Sequence, residues 1–237
     1  MARRDFLPRI TPRIADLRFL WLVLVASGVA LSIVAAHTPY LPGDLGLARE
    51  FQESRSLNVL LTPLMVAISL PGYAPWAEIL WAFAVLVPIL GRRWPVALHI
   101  ALTASGDVLA QVVKWLVARP RPTTDLVDVY RQVTGASFPS GHVVHYVVFF
   151  GVVGYLAWQA WRSTRVGSPT RAVAFCLLLI CGGLILLIGP SRVYLGAHWP
   201  TDVVGGYLLG SAWLAILVAA YRRGLQRPAP PIAAVSP

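Results

Sequence analysis

Six apolar runs, each close to the length that crosses a lipid bilayer, limit what this 237-residue chain can fold into. They fall at roughly Leu17–Ala36, Trp76–Leu90, Val96–Val117, Val143–Trp161, Ala172–Gly189 and Val203–Tyr221. About 20 apolar residues in a helix cover the ~30 Å of bilayer hydrocarbon, so each run reads as a membrane span; the second is short unless it extends back through Tyr73. A further stretch, Leu57–Leu70, is shorter, contains Pro63 and runs into Pro71-Gly72. It reads as an interfacial or re-entrant helix. The expected fold is therefore an all-α polytopic membrane bundle, with six transmembrane helices and one short interfacial helix.

Composition agrees with that class. Residues are 57% hydrophobic and only 13% charged, too little charge for the surface of a soluble globular domain. Nine Trp and eight Tyr suit aromatic belts at two interfaces. The net charge of +10 is spread over short loops between apolar runs, which marks topology and excludes a nucleic-acid stripe. With the N-terminus inside, thirteen of the 20 basic residues lie on the cytoplasmic side, satisfying the positive-inside rule. The expected organisation is a basic cytoplasmic N-terminus (1–16), a six-span domain (17–221) and a cytoplasmic flexible tail (222–237). Arginines ahead of the first run resemble the start of a signal peptide, but the run is longer than a signal core and reads as an uncleaved anchor. Cys176 and Cys181 sit five apart within one run, on different helix faces, and no disulfide or metal site is expected from them.

Three polar stretches interrupt the apolar pattern, all at the outer ends of spans: Lys114–Pro122, Phe138–His142 and Ser191–Asp202. Ionisable groups at membrane depth are costly and by default mark a functional site. Lys114 lies near the end of span three, Arg121 beyond the Pro120 break, and Arg192 after span five. Singly, each reads as a snorkelling anchor; converging, the three cations call for a bound anion, and the Arg fork matches phosphate oxygens. Arg119 and Arg131 are better suited to headgroup or interface contacts. Ser140 and Gly141 open span four after Pro139, where free helix N–H groups form an anion site, and Ser140 is also a good N-cap. His142 would stand at the mouth of that pocket, able to donate a proton. His198 and Asp202, four apart at the start of span six, share a helix face on which a carboxylate can orient an imidazole. That face continues through Gly206 and Gly210, a spacing that permits close helix packing. Asp107, Gln111 and Lys114 form a polar stripe on span three, in which Asp107 either supports Lys114 from below or makes a packing hydrogen bond only. His145, one turn beyond His142, reads at most as a neighbour of the site, and Glu78 as interfacial.

Taken together, Lys114 with six residues before Arg121-Pro122, then Pro139-Ser140-Gly141-His142, then Ser191-Arg192 with five residues before His198 and three before Asp202 resemble the complete three-part signature of the type 2 phosphatidic acid phosphatases. These are membrane relatives of the vanadium haloperoxidases. The resemblance implies that His198 attacks phosphorus to form a phosphohistidine, that Asp202 orients it and that His142 protonates the leaving oxygen. It implies that Lys114, Arg121, Ser140, Gly141 and Arg192 hold the phosphoryl oxygens, without a metal or other cofactor. The expected partner is a lipid phosphate or diphosphate reached from the bilayer at the outer face of a plasma membrane, with undecaprenyl diphosphate first, and phosphatidic acid and phosphatidylglycerol phosphate next. A homodimer is compatible with the sequence. The alternatives are phosphoryl transfer to another lipid or sugar from the same pocket, a non-catalytic anion-binding scaffold or transporter, and a haloperoxidase, which the spans disfavour.

Overall fold

The structure, a computed structural model, describes residues 14–53 and 60–225. Its helices in chain order are α1 (Ile14–His37), α2 (Pro42–Glu53), α3 (Leu61–Ser69), α4 (Trp76–Leu90), α5 (Trp94–Ala101), α6 (Ala104–Val117), α7 (Gly141–His145), α8 (Gly151–Ser163), α9 (Pro169–Tyr194) and α10 (Pro200–Leu225). No strand occurs among the described residues. Five helical stretches are long and apolar enough to cross a membrane: Asp16–His37, Trp94–Val117, Gly141–Ser163, Pro169–Tyr194 and Pro200–Gly224. Leu61–Gly72 and Trp76–Leu90 meet the same criterion only as a pair, bent by 52°. The expected interfacial helix is thus α3, one arm of that bent pair; residues 57–59 of the expected stretch lie outside the described residues.

Local sequence explains where the elements break. Leu70-Pro71-Gly72 forms a single tight 3₁₀ turn after α3, and Pro75 precedes α4, so the pair cannot run straight. α6 ends at Ala118, whose φ of 50° is left-handed, two residues ahead of Pro120. The expected single helix from Val96 to Val117 turns between α5 and α6 at Leu102-Thr103, where Thr103 Oγ1 donates to the Ile100 carbonyl at 2.6 Å. Between α7 and α8, Tyr146–Phe150 widens into one π turn without interrupting the span. α2 is an element the apolar pattern does not announce; Pro42 and Asp44 in its first turn are its only sequence signals.

The centre of the bundle is α7 with its π turn, flanked by α6, α9 and α10. Val143, Val144, Tyr146 and Val148 are fully buried there, as is Val152 at the start of α8. The Gly206–Gly210 face meets this helix, as the spacing predicts. A Cβ on Gly206 would come within 2.9 Å of Val143 Cβ and 3.0 Å of the Ser140 carbonyl, and one on Gly210 within 2.9 Å of Val147 Cβ. Gly205 similarly leaves room for the ring of Phe138. These contacts seat the start of α10 against the start of α7, where the polar residues lie. Gly183, in α9, has open space around it. Gly210→Val is therefore expected to cost about 1–3 kcal/mol through overpacking. Thermal melting in detergent should show a clear loss for that variant and none for Gly183→Ala.

Candidate functional site

The C-terminal end of α6, the loop before α7, the C-terminal end of α9 and the turn before α10 meet at one end of the bundle. Arg192, expected after its span, lies inside the last turn of α9. His198, expected within a helix, lies in the turn before α10, and only Asp202 is helical. The pair still meets, with His198 Nδ1 3.5 Å from Asp202 Oδ2. Their approach comes from a tight turn, in which the Asp202 carboxylate accepts the Trp199 N–H at 2.8 Å.

Three cations surround His198, and each is held by neutral groups. Lys114 Nζ donates to the Ala136 and Ser137 carbonyls at 2.8 and 3.2 Å. Arg121 donates to the Gly135, Ala136 and Ala197 carbonyls at 3.1, 3.3 and 2.8 Å, with Nη1 also 3.3 Å from His198 Nε2. Arg192 Nη1 donates to Ser69 Oγ and Tyr73 Oη at 3.0 and 2.7 Å. Among the described residues none of the three is ion-paired with a carboxylate. An arginine can only donate, so Nε2 of His198 is the acceptor towards Arg121 and its proton resides on Nδ1, facing Asp202. Burial, then Arg121, Lys114 and Arg192, hold the His198 imidazole well below its ordinary pKa, so it is neutral at neutral pH.

Four polar atoms of this site are buried without a hydrogen-bond partner: Ser140 Oγ, His142 Nε2, Arg192 Nε and His198 Nδ1, the last approaching Asp202 Oδ2 only to 3.5 Å. Ser140 is 0% exposed, and its side chain makes no capping bond, contrary to the N-cap expectation. Its backbone N–H is spent on the Asp202 carbonyl at 3.0 Å. Lys114, Arg121, Gly141, His142 and His198 line one cleft of about 540 Å³. The cleft continues down the bundle past Gln111, His145, Asp107, Glu78 and Trp81.

Several site residues are not evident in the sequence. Tyr73, in the elbow between α3 and α4, accepts from Arg192, stands edge-on to the His142 ring at 4.5 Å, and has the Arg131 guanidinium 5.8 Å from its centroid. Gly72 is bare because His142 occupies the place of a side chain: a Cβ there would come within 2.6 Å of the imidazole. Ser69 passes the Arg192 contact on, bonding Ser191 Oγ at 2.7 Å, which donates to the Met65 carbonyl at 2.7 Å. The Pro71-Gly72 break was the available signal. Asp107 does not support Lys114; its carboxylate pairs with His145 Nδ1 at 3.1 Å. Arg119 is no interface residue: it is 1% exposed and bonded to both Asp44 and Asp202. Among the described residues no cluster of three His, Cys, Asp or Glu side chains is arranged to hold a metal ion.

Fold and site together define a class: a helical membrane protein carrying a cation-lined cleft, with His142 and His198 at one end of its bundle. Residues 94–225 match the model of the PAP2 superfamily, and the chain belongs to that family. It is 30% identical over 119 residues to phosphatidylglycerophosphatase B of Bacillus subtilis, covering 50% of this chain and 54% of that one. It is 31% identical over 163 residues to undecaprenyl-diphosphatase of Sulfolobus acidocaldarius, covering 66% of this chain and 68% of that one. The match thus spans about half the length of the first relative and about two thirds of the second. The crystal structure of a transmembrane PAP2-type phosphatidylglycerolphosphate phosphatase from Bacillus subtilis shares the fold, with TM-score 0.66 and 23% identity over 85% of this chain and 97% of that one.

The neutral state of His198 has a measurable consequence. An unfolded chain takes up a proton on this histidine below about pH 6.5, whereas the folded protein does not. Its contribution to stability is complete above that pH and declines as the pH falls beneath it. The melting temperature should therefore drop more between about pH 7.5 and 5.5 in the wild type than in His198→Gln, which cannot titrate.

Proposed function

We propose that the protein hydrolyses the phosphate or diphosphate headgroup of a membrane lipid through a phosphohistidine. The observation that carries this reading is the convergence of His198, His142, Lys114, Arg121 and Gly141 on one cleft. His198 Nε2, unprotonated and aimed at Arg121, attacks phosphorus as a phosphate takes the place beside that guanidinium. The bond to the leaving oxygen breaks as His142 gives that oxygen a proton. Lys114, Arg121, Arg192, the Gly141 amide and the Ser140 hydroxyl stabilise the charge on the non-bridging oxygens. Water, deprotonated by His142, then attacks the phosphohistidine, releasing inorganic phosphate and restoring neutral His198. Asp202 keeps the proton on Nδ1 throughout, and no metal enters this scheme.

Undecaprenyl diphosphate is the favoured substrate, followed by phosphatidylglycerol phosphate and phosphatidic acid. Support comes from the relatives named as undecaprenyl-diphosphatase and phosphatidylglycerophosphatase B. In this reading the bent pair is one span, giving six; residues 1–16 and 222–237 are cytoplasmic, residues 17–221 are the catalytic domain, and the site faces outward. Arginines 92, 93, 162, 165 and 171, at the opposite end, support that orientation.

Purified protein in detergent is expected to release phosphate from at least one of the three lipids, fastest from undecaprenyl diphosphate. His198→Ala and His142→Ala should each lose at least about a thousandfold in kcat. Activity surviving in His198→Ala would sink the mechanism. A phosphorylated acceptor appearing in place of free phosphate would turn the hydrolase into a transferase.

A further inference from the structure

Arg119 lies two residues before Arg121 yet takes the opposite role. Its guanidinium points away from the cleft, into the seam between α2 and α10. Nη1 donates to Asp202 Oδ1 and Thr201 Oγ1, both at 2.7 Å. Nη2 donates to Asp44 Oδ2 at 2.8 Å, and Nε reaches the Thr38 and Pro39 carbonyls at 3.3 and 3.1 Å. All three charged side chains are almost wholly enclosed, with Arg119 and Asp44 at 1% and Asp202 at 0% exposure. Asp44 is fixed in turn by the Thr201 N–H at 2.9 Å, the Thr201 hydroxyl at 2.7 Å and the Leu41 N–H at 2.9 Å.

The arrangement leaves Asp202 little freedom. Arg119 fixes Oδ1, while Oδ2 receives the Ser137 hydroxyl and the Trp199 N–H and is the oxygen that faces His198 Nδ1. Arg119 also acts through its backbone, since its carbonyl accepts the Ser137 N–H at 2.8 Å. One residue thus locates the carboxylate and the serine that bonds it. A planar fork serving Asp44, Thr201 and Asp202 at once is a task for arginine; an ammonium in its place would supply the charge without the spread.

We infer that Arg119, anchored by Asp44, is a positioning residue for catalysis: it sets the Asp202 carboxylate so that His198 presents Nε2 to phosphorus. Arg119 touches neither substrate nor reacting atoms. The inference rests on the reading of His198 as nucleophile and Asp202 as its partner.

The test is a double-mutant cycle on purified protein, reading kcat and KM for phosphate release from the best lipid substrate, with competitive inhibition by inorganic phosphate. Arg119→Met should lower kcat about 10–100-fold, the usual effect of losing a supporting partner, with KM and the phosphate inhibition constant changed by less than about threefold. Arg119→Lys should recover part of that loss, and Asp44→Asn should lower kcat in the same sense by a smaller factor. In an Asp202→Asn background, Arg119→Met should cost little more, because the group it positions is already gone. Full additivity with Asp202→Asn, or a loss carried mainly in KM and phosphate inhibition, would overturn the inference. If Arg119→Met does not fold, as judged by melting and gel filtration, the same cycle with Arg119→Lys decides the matter. The underlying reading is checked separately: if His198→Ala and Asp202→Asn keep wild-type kcat, that reading fails; if they lose it and the cycle is additive, only the inference fails.

Discussion

Positive charge enclosed without negative charge is the constraint around which this structure is organised. Lys114, Arg121 and Arg192 converge at the end of an apolar bundle, where bringing a cation out of water is expensive unless other groups solvate it. The chain meets that cost with dipoles: carbonyls of residues 135–137 and 197, the Ser69 hydroxyl and the Tyr73 phenol. Neutral acceptors hold the side chains in place but leave their charge uncancelled. A carboxylate in the same position would hold them as well and would cancel that charge. Arg119 is the counter-example two residues before Arg121: with two carboxylates it is electrostatically spent, and its contribution is geometric.

The loop between α6 and α7 follows from the same requirement. A helix uses its own carbonyls and could not offer three in a row to Lys114 and Arg121; an irregular stretch can. α6 therefore stops at Ala118, the chain leaves the helix through Pro120 and Pro122, and α7 resumes only at Gly141. Gly205, Gly206 and Gly210 in α10 let that helix come close enough for Asp202 to receive the Ser140 N–H on its backbone and Ser137 on its side chain. Packing and chemistry share residues here.

Spans and signature were readable from the chain because both are local patterns. Apolar runs gave the five long helical stretches to within about five residues, and five of the residues in the motifs, Lys114, Arg121, Gly141, His142 and His198, line the cleft, whereas Ser140, Arg192 and Asp202 lie behind its wall. The pairings were not readable. Asp44 meets Thr201 across 157 positions, Arg192 meets Tyr73 across 119, and Asp107 meets His145 rather than its helical neighbour Lys114. No periodicity encodes which face of one helix opposes another. The elbow at Gly72-Tyr73 was half legible: a short apolar run with two prolines reads as an interfacial or re-entrant helix, but its length does not say that the bend sets Tyr73 against His142. Arg119 was misplaced because an arginine near a span end usually reaches for the interface.

The cleft has one wall from α4, through Ala77, Glu78 and Trp81, and another from α6, through Ala104, Asp107 and Gln111. It therefore runs along the flank of the bundle as well as opening at its end. In the proposed function, a lipid substrate entering by that flank is drawn from a two-dimensional solvent. Its supply is then governed by its mole fraction among neighbouring lipids and by lateral diffusion, and diluting the aqueous phase around the membrane leaves its occupancy unchanged.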